Sequence, residues 1–231
     1  MTISSDLPAE AVVEEPSLGL AWLAALRLIL QDGRWTHDGP DRLLELRPLI
    51  MRIASADEDD SIIRLCADQD RIRLMLLKYR SRNILPEYKI SYGGLLYDND
   101  GVDQIAWIVD RLRSKPETKS ATITLHRPGE AYLSCLSLLD FKLREHELDM
   151  TAVYRSQNVY ASQPGNVLAL RQIQCEVASH LALPAGVFDL VALSAHVYER
   201  DLERATQVCH SQQASIQDPI MQRPRLGARR R

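Results

Sequence analysis

The stretch YRSQNVYASQPGN, residues 154–166, contains an Arg-Ser pair after an apolar segment and a Pro-Gly-Asn sequence before a helical one. Arg155-Ser156 could bind a phosphate, because a guanidinium and a hydroxyl both donate hydrogen bonds to phosphate oxygens. Taken alone, such a pair is more commonly a surface arginine beside a turn serine. Asn166 stands where a helix would begin, and an N-cap is its simplest interpretation.

Two further candidates flank this stretch. Cys135 lies in the apolar run YLSCLSLL, residues 132–139, where a lone cysteine is usually a core residue but can be a nucleophile. His196 and Tyr198 end a predicted strand and share one of its faces, because strand side chains alternate. Packing is the usual role of such a pair, so each candidate is ambiguous by itself.

The spacings between these residues are more informative than the residues alone. Arg155 follows Cys135 by 20 residues, Asn166 follows Arg155 by 11, and His196 follows Asn166 by 30. This pattern resembles the thymidylate synthase family, in which a nucleophilic cysteine, an Arg-Ser pair, an asparagine and a His-x-Tyr sequence are spaced in this way. The resemblance covers roughly residues 18–205 and is specific only from 132 to 200. The short length of the chain, and the leucine that follows Cys135, are most similar to the compact, archaeal-type branch of the family.

The resemblance implies a role for each candidate side chain. The thiolate of Cys135 would add to C6 of a pyrimidine and make C5 nucleophilic. The resemblance also implies that Arg155 favours the thiolate and holds the 5′-phosphate, and that Ser156 donates a hydrogen bond to that phosphate. It implies that Asn166 recognises the edge of the base by hydrogen bonds, and that His196 and Tyr198 hold the ribose. Tyr92 would help to remove the C5 proton.

The resemblance also implies the partners of the chain. The one-carbon donor would be the co-substrate 5,10-methylenetetrahydrofolate, and no metal is implied. The fold would be a mixed β-sheet covered by helices, with the other sheet face buried in a symmetric homodimer. Arginines of the second chain would complete the phosphate site. No membrane partner is implied, and a nucleic-acid partner is not expected.

Several positions depart from the family pattern. The acid that binds the folate ring is replaced by Asn158, which is the candidate cofactor-binding residue here, and the proline before the nucleophile is Ser134. The arginine pair on the strand that crosses the dimer aligns best with Lys119-Ser120, which carries one positive charge and no bidentate fork. An early-loop arginine has no counterpart by spacing, although Arg34 or Arg42 could substitute.

Two catalytic side chains of the family also lack clear counterparts. The glutamate that orders water has only weak candidates in Asp68, Asp70 and Glu87. The tryptophan that shields the exocyclic methylene intermediate is missing, because residues 79–90 contain none. Admitting water to that intermediate would give a hydroxymethyl product instead of a methyl one.

These observations predict one-carbon transfer to C5 of a uracil nucleotide, similar to dUMP, through Cys135. A pyrimidine nucleotide hydroxymethylase is the first alternative, and a non-catalytic nucleotide-binding homologue is the second. Asn166 suits uracil, because an amide can both donate and accept at the N3–H and O4 edge. The departures leave open whether the substrate is a ribonucleotide, a deoxyribonucleotide or a nucleoside.

Periodicity and turn residues predict an α+β fold with a mixed sheet. Helices are predicted over residues 18–31, 61–78, 101–114 and 166–183, and from Arg200 onward. Strands are predicted over 43–53, 120–125, 131–141, 147–154 and 187–198, with a hairpin near 146. Tight turns are predicted at 91–94 and 163–165. The chain divides into a flexible arm (1–17), one domain (18–210) and a flexible basic tail (211–231).

Composition and charge disfavour several broad classes of protein. The 231 residues carry 28 basic and 31 acidic side chains, and the net charge of −3 disfavours a general nucleic-acid binder. No apolar run approaches the roughly 20 residues of a membrane span, and the acidic N-terminus does not resemble a secretory signal. The cysteines at 66, 135, 175 and 209 include no Cys-x-x-Cys, which disfavours a zinc site and a disulfide scaffold. A cytoplasmic location is expected.

Overall fold

The computed structural model describes residues 11–55, 59–127 and 129–217. The strands of its larger sheet are β1 (Ala11–Ser17), β4 (Leu49–Ser55), β5 (Thr122–Thr124), β6 (Leu136–Arg144), β7 (Glu147–Tyr154) and β9 (Ala185–Ala192). They lie in the order β1-β4-β9-β7-β6-β5. The pairs β1/β4 and β7/β9 are parallel and the others antiparallel, so the predicted mixed sheet is confirmed.

A smaller sheet stands beside the larger one. Its strands are β2 (Arg34–Asp38), β3 (Asp41–Leu46), β8 (Gln157–Asn158) and β10 (Ala195–Tyr198). They lie in the order β2-β3-β10-β8. Strand β8 directly follows the Arg-Ser pair and β10 carries the His-x-Tyr sequence, so this sheet brings the two motifs together.

Helices complete the α+β architecture. Within the described residues these are α1 (Leu18–Asp32), α2 (Ser61–Cys66), α3 (Gln69–Arg80), α4 (Tyr92–Tyr97), α5 (Gln104–Ser114), α6 (Gln163–His180) and α7 (Leu202–Gln217). Five of them begin at a side chain that accepts a hydrogen bond from a first-turn amide, which satisfies a donor that the helix itself cannot: Ser17, Asp60, Asp68, Ser91 and Asp103. None of the helices in the described ranges is long and apolar enough to cross a membrane.

The core lies on one face of the larger sheet. Along β7 and β9 fully buried residues alternate with less buried ones, as the two-residue period of a strand requires. Gln174 of α6 donates from Nε2 to the Leu148 carbonyl at 2.6 Å. Trp22 of α1 donates from its indole nitrogen to the Val159 carbonyl at 2.8 Å. These buried hydrogen bonds fix α6 to the sheet and α1 to the segment that leads into α6.

The opposite face of the larger sheet carries an apolar row. Strand register aligns Val12, Ile50, Val191, Val153 and Leu138 across five neighbouring strands. Val12 is 51% exposed and Ile50 is 40% exposed, and the other three are half-buried. We call these five residues the sheet-face row.

Two predicted strands are wrong in the same way. The segment 43–53 is not one strand, because β3 belongs to the smaller sheet and β4 to the larger one. Pro48 lies between them and has no N–H to donate to a ladder, so pairing is interrupted there. The predicted strand 187–198 likewise divides at Leu193-Ser194 into β9 and β10, which also lie in different sheets.

Several predicted helix boundaries are also wrong. The segment 61–78 forms two helices, because Asp68 caps a new helix after α2 has ended. The predicted turns at 91–94 and 163–165 are helix starts: Ser91 caps α4, and Pro164 fits the first turn of α6. The last helix begins at Leu202, after a short 3₁₀ turn.

The predicted arm and tail are both too long. Residues 11–17 form β1, and residues 211–217 belong to α7. The remaining parts of these two predictions, residues 1–10 and 218–231, lie outside the described residues. The strand predicted over 131–141 begins only at Leu136.

Candidate functional site

A cavity of about 260 Å³ opens beside Cys135, between α3, α4 and the loop that enters β6. Its lining is aromatic and cationic: Lys78, Tyr88, Lys89, Ile90, Tyr92, Ala131, Tyr132, Leu133, Ser134, Cys135 and Arg155. Within the described part of the chain, no Asp or Glu belongs to this lining. The cavity therefore suits an electron-rich or anionic ligand.

The position of Cys135 is set by its neighbours in two elements. Its N–H donates to the Tyr92 hydroxyl at 3.1 Å, and the Leu136 N–H donates to the same oxygen at 3.4 Å. Its carbonyl accepts a hydrogen bond from the Arg155 N–H at 2.9 Å. Cys135 thus lies at the start of β6, and it lines the same cavity as Arg155 and Tyr92.

Arg155 is held against the loop that precedes the thiol. Its Nε donates to the Ser134 carbonyl at 3.0 Å, and its Nη2 donates to the Leu133 carbonyl at 3.0 Å. The Nη1 group forms no hydrogen bond within the described residues, which leaves two N–H donors for an anion. One guanidinium therefore orders the loop and still offers donors to the cavity.

Three tyrosines form the wall behind the thiol. The hydroxyls of Tyr79 and Tyr154 lie 2.5 Å apart, and the ring of Tyr92 stands edge-on to that of Tyr79 at 4.8 Å. Burial raises the pKa of all three phenols above the ordinary value, so each is neutral near pH 7. Because the Tyr92 oxygen accepts two backbone donors, its own proton is available to an acceptor in the cavity.

The structure adds one residue that the sequence did not predict. The Lys78 ammonium lies 3.9 Å from the ring centre of Tyr92 and 4.0 Å from that of Tyr88. Burial lowers the pKa of Lys78 from 10.5 to about 8. The available signal was its spacing, because Lys78 follows the buried Met75 by three residues and so faces inward.

Predicted base-reading and sugar-binding residues meet at a second set of buried polar groups. Asn166 donates from Nδ2 to the Gln157 side-chain oxygen at 3.3 Å. Asn166 lies inside α6, whose N-cap is Ser162, so the N-cap interpretation is wrong. The Val159 N–H donates to the His196 carbonyl at 2.9 Å, which places β8 beside the His-x-Tyr strand.

These buried groups carry atoms that have no partner among the described residues. The atoms are Gln157 Nε2, Gln163 Oε1, Asn166 Oδ1 and His196 Nδ1. A buried polar atom without a hydrogen bond costs about 1–3 kcal/mol. Donors and acceptors both occur in the set, so it fits a ligand with both, such as a nucleobase and a sugar.

His196 and Tyr198 share a face of β10, as the sequence predicts. Their ring centres lie 5.0 Å apart, and burial lowers the pKa of His196, which is therefore neutral near pH 7. The Tyr198 hydroxyl donates to Asp38 at 2.9 Å. Burial and this hydrogen bond raise the pKa of Tyr198 to about 12. Both side chains are thus neutral hydrogen-bonding groups.

The weaker candidates lie outside the Cys135 cavity. Asn158 Oδ1 accepts from the Ala161 N–H at 3.0 Å and stabilises a turn. Asp68 caps α3, Asp70 pairs with Arg73, and Glu87 is exposed. The structure therefore places none of the candidate carboxylates for the missing glutamate at the thiol.

The basic candidates have other neighbours or lie exposed. Arg42 binds Glu199 at 2.9 Å, and its guanidinium carbon lies 4.0 Å from the Trp35 ring centre. Arg34 is exposed on β2, and Lys119-Ser120 is exposed before β5. Ser156 is half-buried next to Arg155, where the resemblance requires it. None of these residues lines the cavity beside Cys135.

Comparisons with known proteins identify the family to which the sequence is similar. Residues 72–224 match the family model described as thymidylate synthase. A protein of Methanosarcina mazei, provisionally named as a thymidylate synthase, is 25% identical over 203 residues, which are 85% of this chain and 94% of that protein. A protein of Methanococcoides burtonii with the same provisional name is 24% identical over 215 residues, 89% and 98% of the two chains. One from Methanothermobacter marburgensis is 32% identical over 122 residues, 51% and 55% of the two.

Proposed function

Because this chain belongs to the thymidylate synthase family, we propose that it transfers a one-carbon unit from methylenetetrahydrofolate to C5 of a uracil nucleotide. The observation that carries the proposal is the meeting of Cys135, Arg155 and Tyr92 at one cavity. The thiolate adds to C6 of the base, which makes C5 nucleophilic enough to attack the one-carbon donor. Arg155 supports the thiolate, because its guanidinium is positively charged at every relevant pH.

The second set of polar groups supports a pyrimidine nucleotide as substrate. Asn166 has a buried Oδ1 without a partner in the described structure, and this oxygen can accept the N3–H of uracil. The neutral His196 and Tyr198 can hold a ribose hydroxyl. Arg155 and Ser156 supply donors for a phosphate.

Two outcomes of the transfer differ in the species that reacts with the new carbon. A hydride from the folate gives a methyl group and releases dihydrofolate, whereas water gives a hydroxymethyl group. Among the described residues, the cavity wall contains an amine and several phenols and no tryptophan. This polar wall supports the hydroxymethyl outcome as the second candidate, and the mass of the product distinguishes the two.

A nucleotide-binding homologue without turnover is the remaining candidate. It is supported by the lack of a carboxylate in the cavity lining given by the described residues. Asn158 also replaces the acid that binds folate in the family. Such a protein would bind the nucleotide and form no covalent adduct.

Mass spectrometry of the intact protein tests these candidates together. We expect incubation with methylenetetrahydrofolate and the 5-fluoro analogue of dUMP to give a ternary adduct on Cys135, because fluorine at C5 cannot leave as the proton does. Omitting the folate is the control, and it should leave no ternary mass. Nucleotide binding by calorimetry without any adduct would favour the non-catalytic candidate and overturn the enzymatic one.

A homodimer through the sheet-face row is the second part of the proposal. The row sets apolar side chains across five strands, and two of them are exposed in the single chain. An exposed apolar row on a sheet is typical of a protein–protein contact. In the family this face is buried between two subunits, and the partner's arginines reach the phosphate.

Replacing Ile50 by arginine should convert the dimer to a monomer. The charge would lie within the row, on the strand next to its β1 end, where its desolvation opposes association. Light scattering at micromolar concentration measures the mass, and Leu65→Arg on α2, where Leu65 is 76% exposed, is the matched control. A wild-type chain that is already a monomer would contradict this part of the proposal.

A further inference from the structure

Lys78 is a buried cation of the Cys135 cavity, and the catalytic set leaves it without a role. When C5 has bonded to the one-carbon unit it still carries its hydrogen, and a base must remove that proton. Tyr92 is the residue that the family resemblance assigns to this step. Its buried phenol has a raised pKa, so phenolate is scarce near pH 7 and Tyr92 is a weak base.

The other groups in the cavity are no better suited. Arg155 remains protonated, and Cys135 is committed to C6. Lys89 lies at the exposed rim, 3.3 Å from the Tyr132 hydroxyl. No carboxylate lines the cavity in the described part of the chain. Lys78 remains, with its nitrogen against the Tyr92 ring.

The surroundings of Lys78 favour a neutral amine. The titratable and charged groups near Lys78 are Arg71 on α3, Tyr92 on α4, Cys135 before β6, Arg155 after β7, and Tyr88, Lys89 and Tyr132 on the loops. Desolvation is the largest influence and disfavours the ammonium form; the Cys135 thiol opposes this effect, and the nearby Arg71 adds to it. An amine that loses its proton near pH 8 is well matched to general-base catalysis.

We propose that the neutral amine of Lys78 is the base that takes the C5 proton of the pyrimidine. This inference rests on the function proposed above. The C5–H bond breaks, its proton forms a new N–H bond on Lys78, and its electron pair moves into the ring as an enolate. Collapse of the enolate breaks the bond between the one-carbon unit and the folate nitrogen, and that nitrogen takes the bond's electron pair and a proton from water as it leaves. The ammonium then returns its proton to water before the next turnover.

Two substitutions at Lys78 distinguish the role of its amine as a base from the role of its positive charge. Lys78→Arg keeps the positive charge but provides no base near pH 8, and Lys78→Ala removes both. We expect each to lower turnover of the uracil nucleotide about 10²-fold or more. Added ethylamine should restore part of the activity of Lys78→Ala, with a rate that rises with its unprotonated fraction. The wild-type rate should rise with pH through about 8 and lose this dependence in Lys78→Arg.

The fluoro analogue keeps this test distinct from the test of the function. Adduct formation needs Cys135 but no proton removal at C5, so both Lys78 variants should still form the ternary adduct. The matched control is Lys115→Ala, which removes an exposed lysine outside the cavity and should stay within about threefold of wild type. Turnover of Lys78→Arg at the wild-type rate, or an unchanged pH profile, would overturn the assignment of Lys78 alone. A wild-type protein that forms no adduct would overturn both the assignment and the function.

Discussion

Replacing Cys135 by serine should abolish product formation, with a loss of at least ~10³-fold. A serine hydroxyl stays protonated near pH 7 and is a far weaker nucleophile toward C6 than a thiolate. The change removes no large contact, because the half-buried side chain loses only the difference between sulfur and oxygen. The assay is product formation by mass spectrometry, with nucleotide affinity measured in parallel by calorimetry.

The matched control is Cys175→Ser, which makes the same chemical change at an exposed thiol on α6. This variant should retain full activity. Nucleotide binding should persist in Cys135→Ser, because Arg155, Asn166 and His196 are untouched. Undiminished turnover in Cys135→Ser would end the proposal of covalent catalysis, whichever product is formed.

Replacing Gly165 by valine should destabilise the fold by about 3 kcal/mol, at the upper end of ordinary overpacking. A Cβ at this position would lie 2.8 Å from Met75 Cβ and 3.1 Å from Ile72 Cα. The second contact is with backbone, so α3 and α6 must separate. That movement also displaces Asn166 on one helix and Lys78 on the other, and we expect nucleotide binding to weaken along with stability.

Urea denaturation measures this loss, and Cys175→Val provides the matched control on the same helix. That exposed substitution reports the helix propensity of valine alone and should stay within about 0.5 kcal/mol. A Gly165→Val protein as stable as the control would show that the two helices are not in the close contact described here.

Much of the fold follows from short-range periodicity. Strand β7 has the bounds predicted for it, and the helix predicted over 101–114 contains α5, whose apolar residues Ile105 and Leu112 are buried. Apolar residues alternate along β7 and recur at helical spacing along α5, and both elements end at turn residues. The strands that change sheet were missed, because the apolar pattern continues through Pro48 and through Leu193-Ser194 while the pairing partner changes. Pairing is a tertiary property that local pattern does not contain.

The candidate site likewise contains residues that the sequence predicted and one residue that it did not. The resemblance to the family, carried by the spacings, pointed to Cys135 and Arg155, and both line one cavity in the structure. Lys78 was missed because lysine on a helix is normally a solvated residue, and only the packing of α3 against its neighbours turns this one inward. The identity of a base depends on burial and on nearby rings, and neither is visible in residue types along the chain.

The apolar row on the larger sheet lies close along the chain to residues of the proposed site. Val153 of the row is followed two residues later by Arg155, and Val191 is followed within five residues by His196. The Leu193 N–H donates to the Tyr154 carbonyl at 2.8 Å, and the Gln157 N–H donates to the Ser194 carbonyl at 2.8 Å, which joins the two strand ends. A shift in the tilt of this sheet is therefore also a shift of Arg155 and His196, the side chains proposed to bind phosphate and sugar. Surface variation on this face and substrate preference are consequently linked traits, and a chain that changes one must readjust the other.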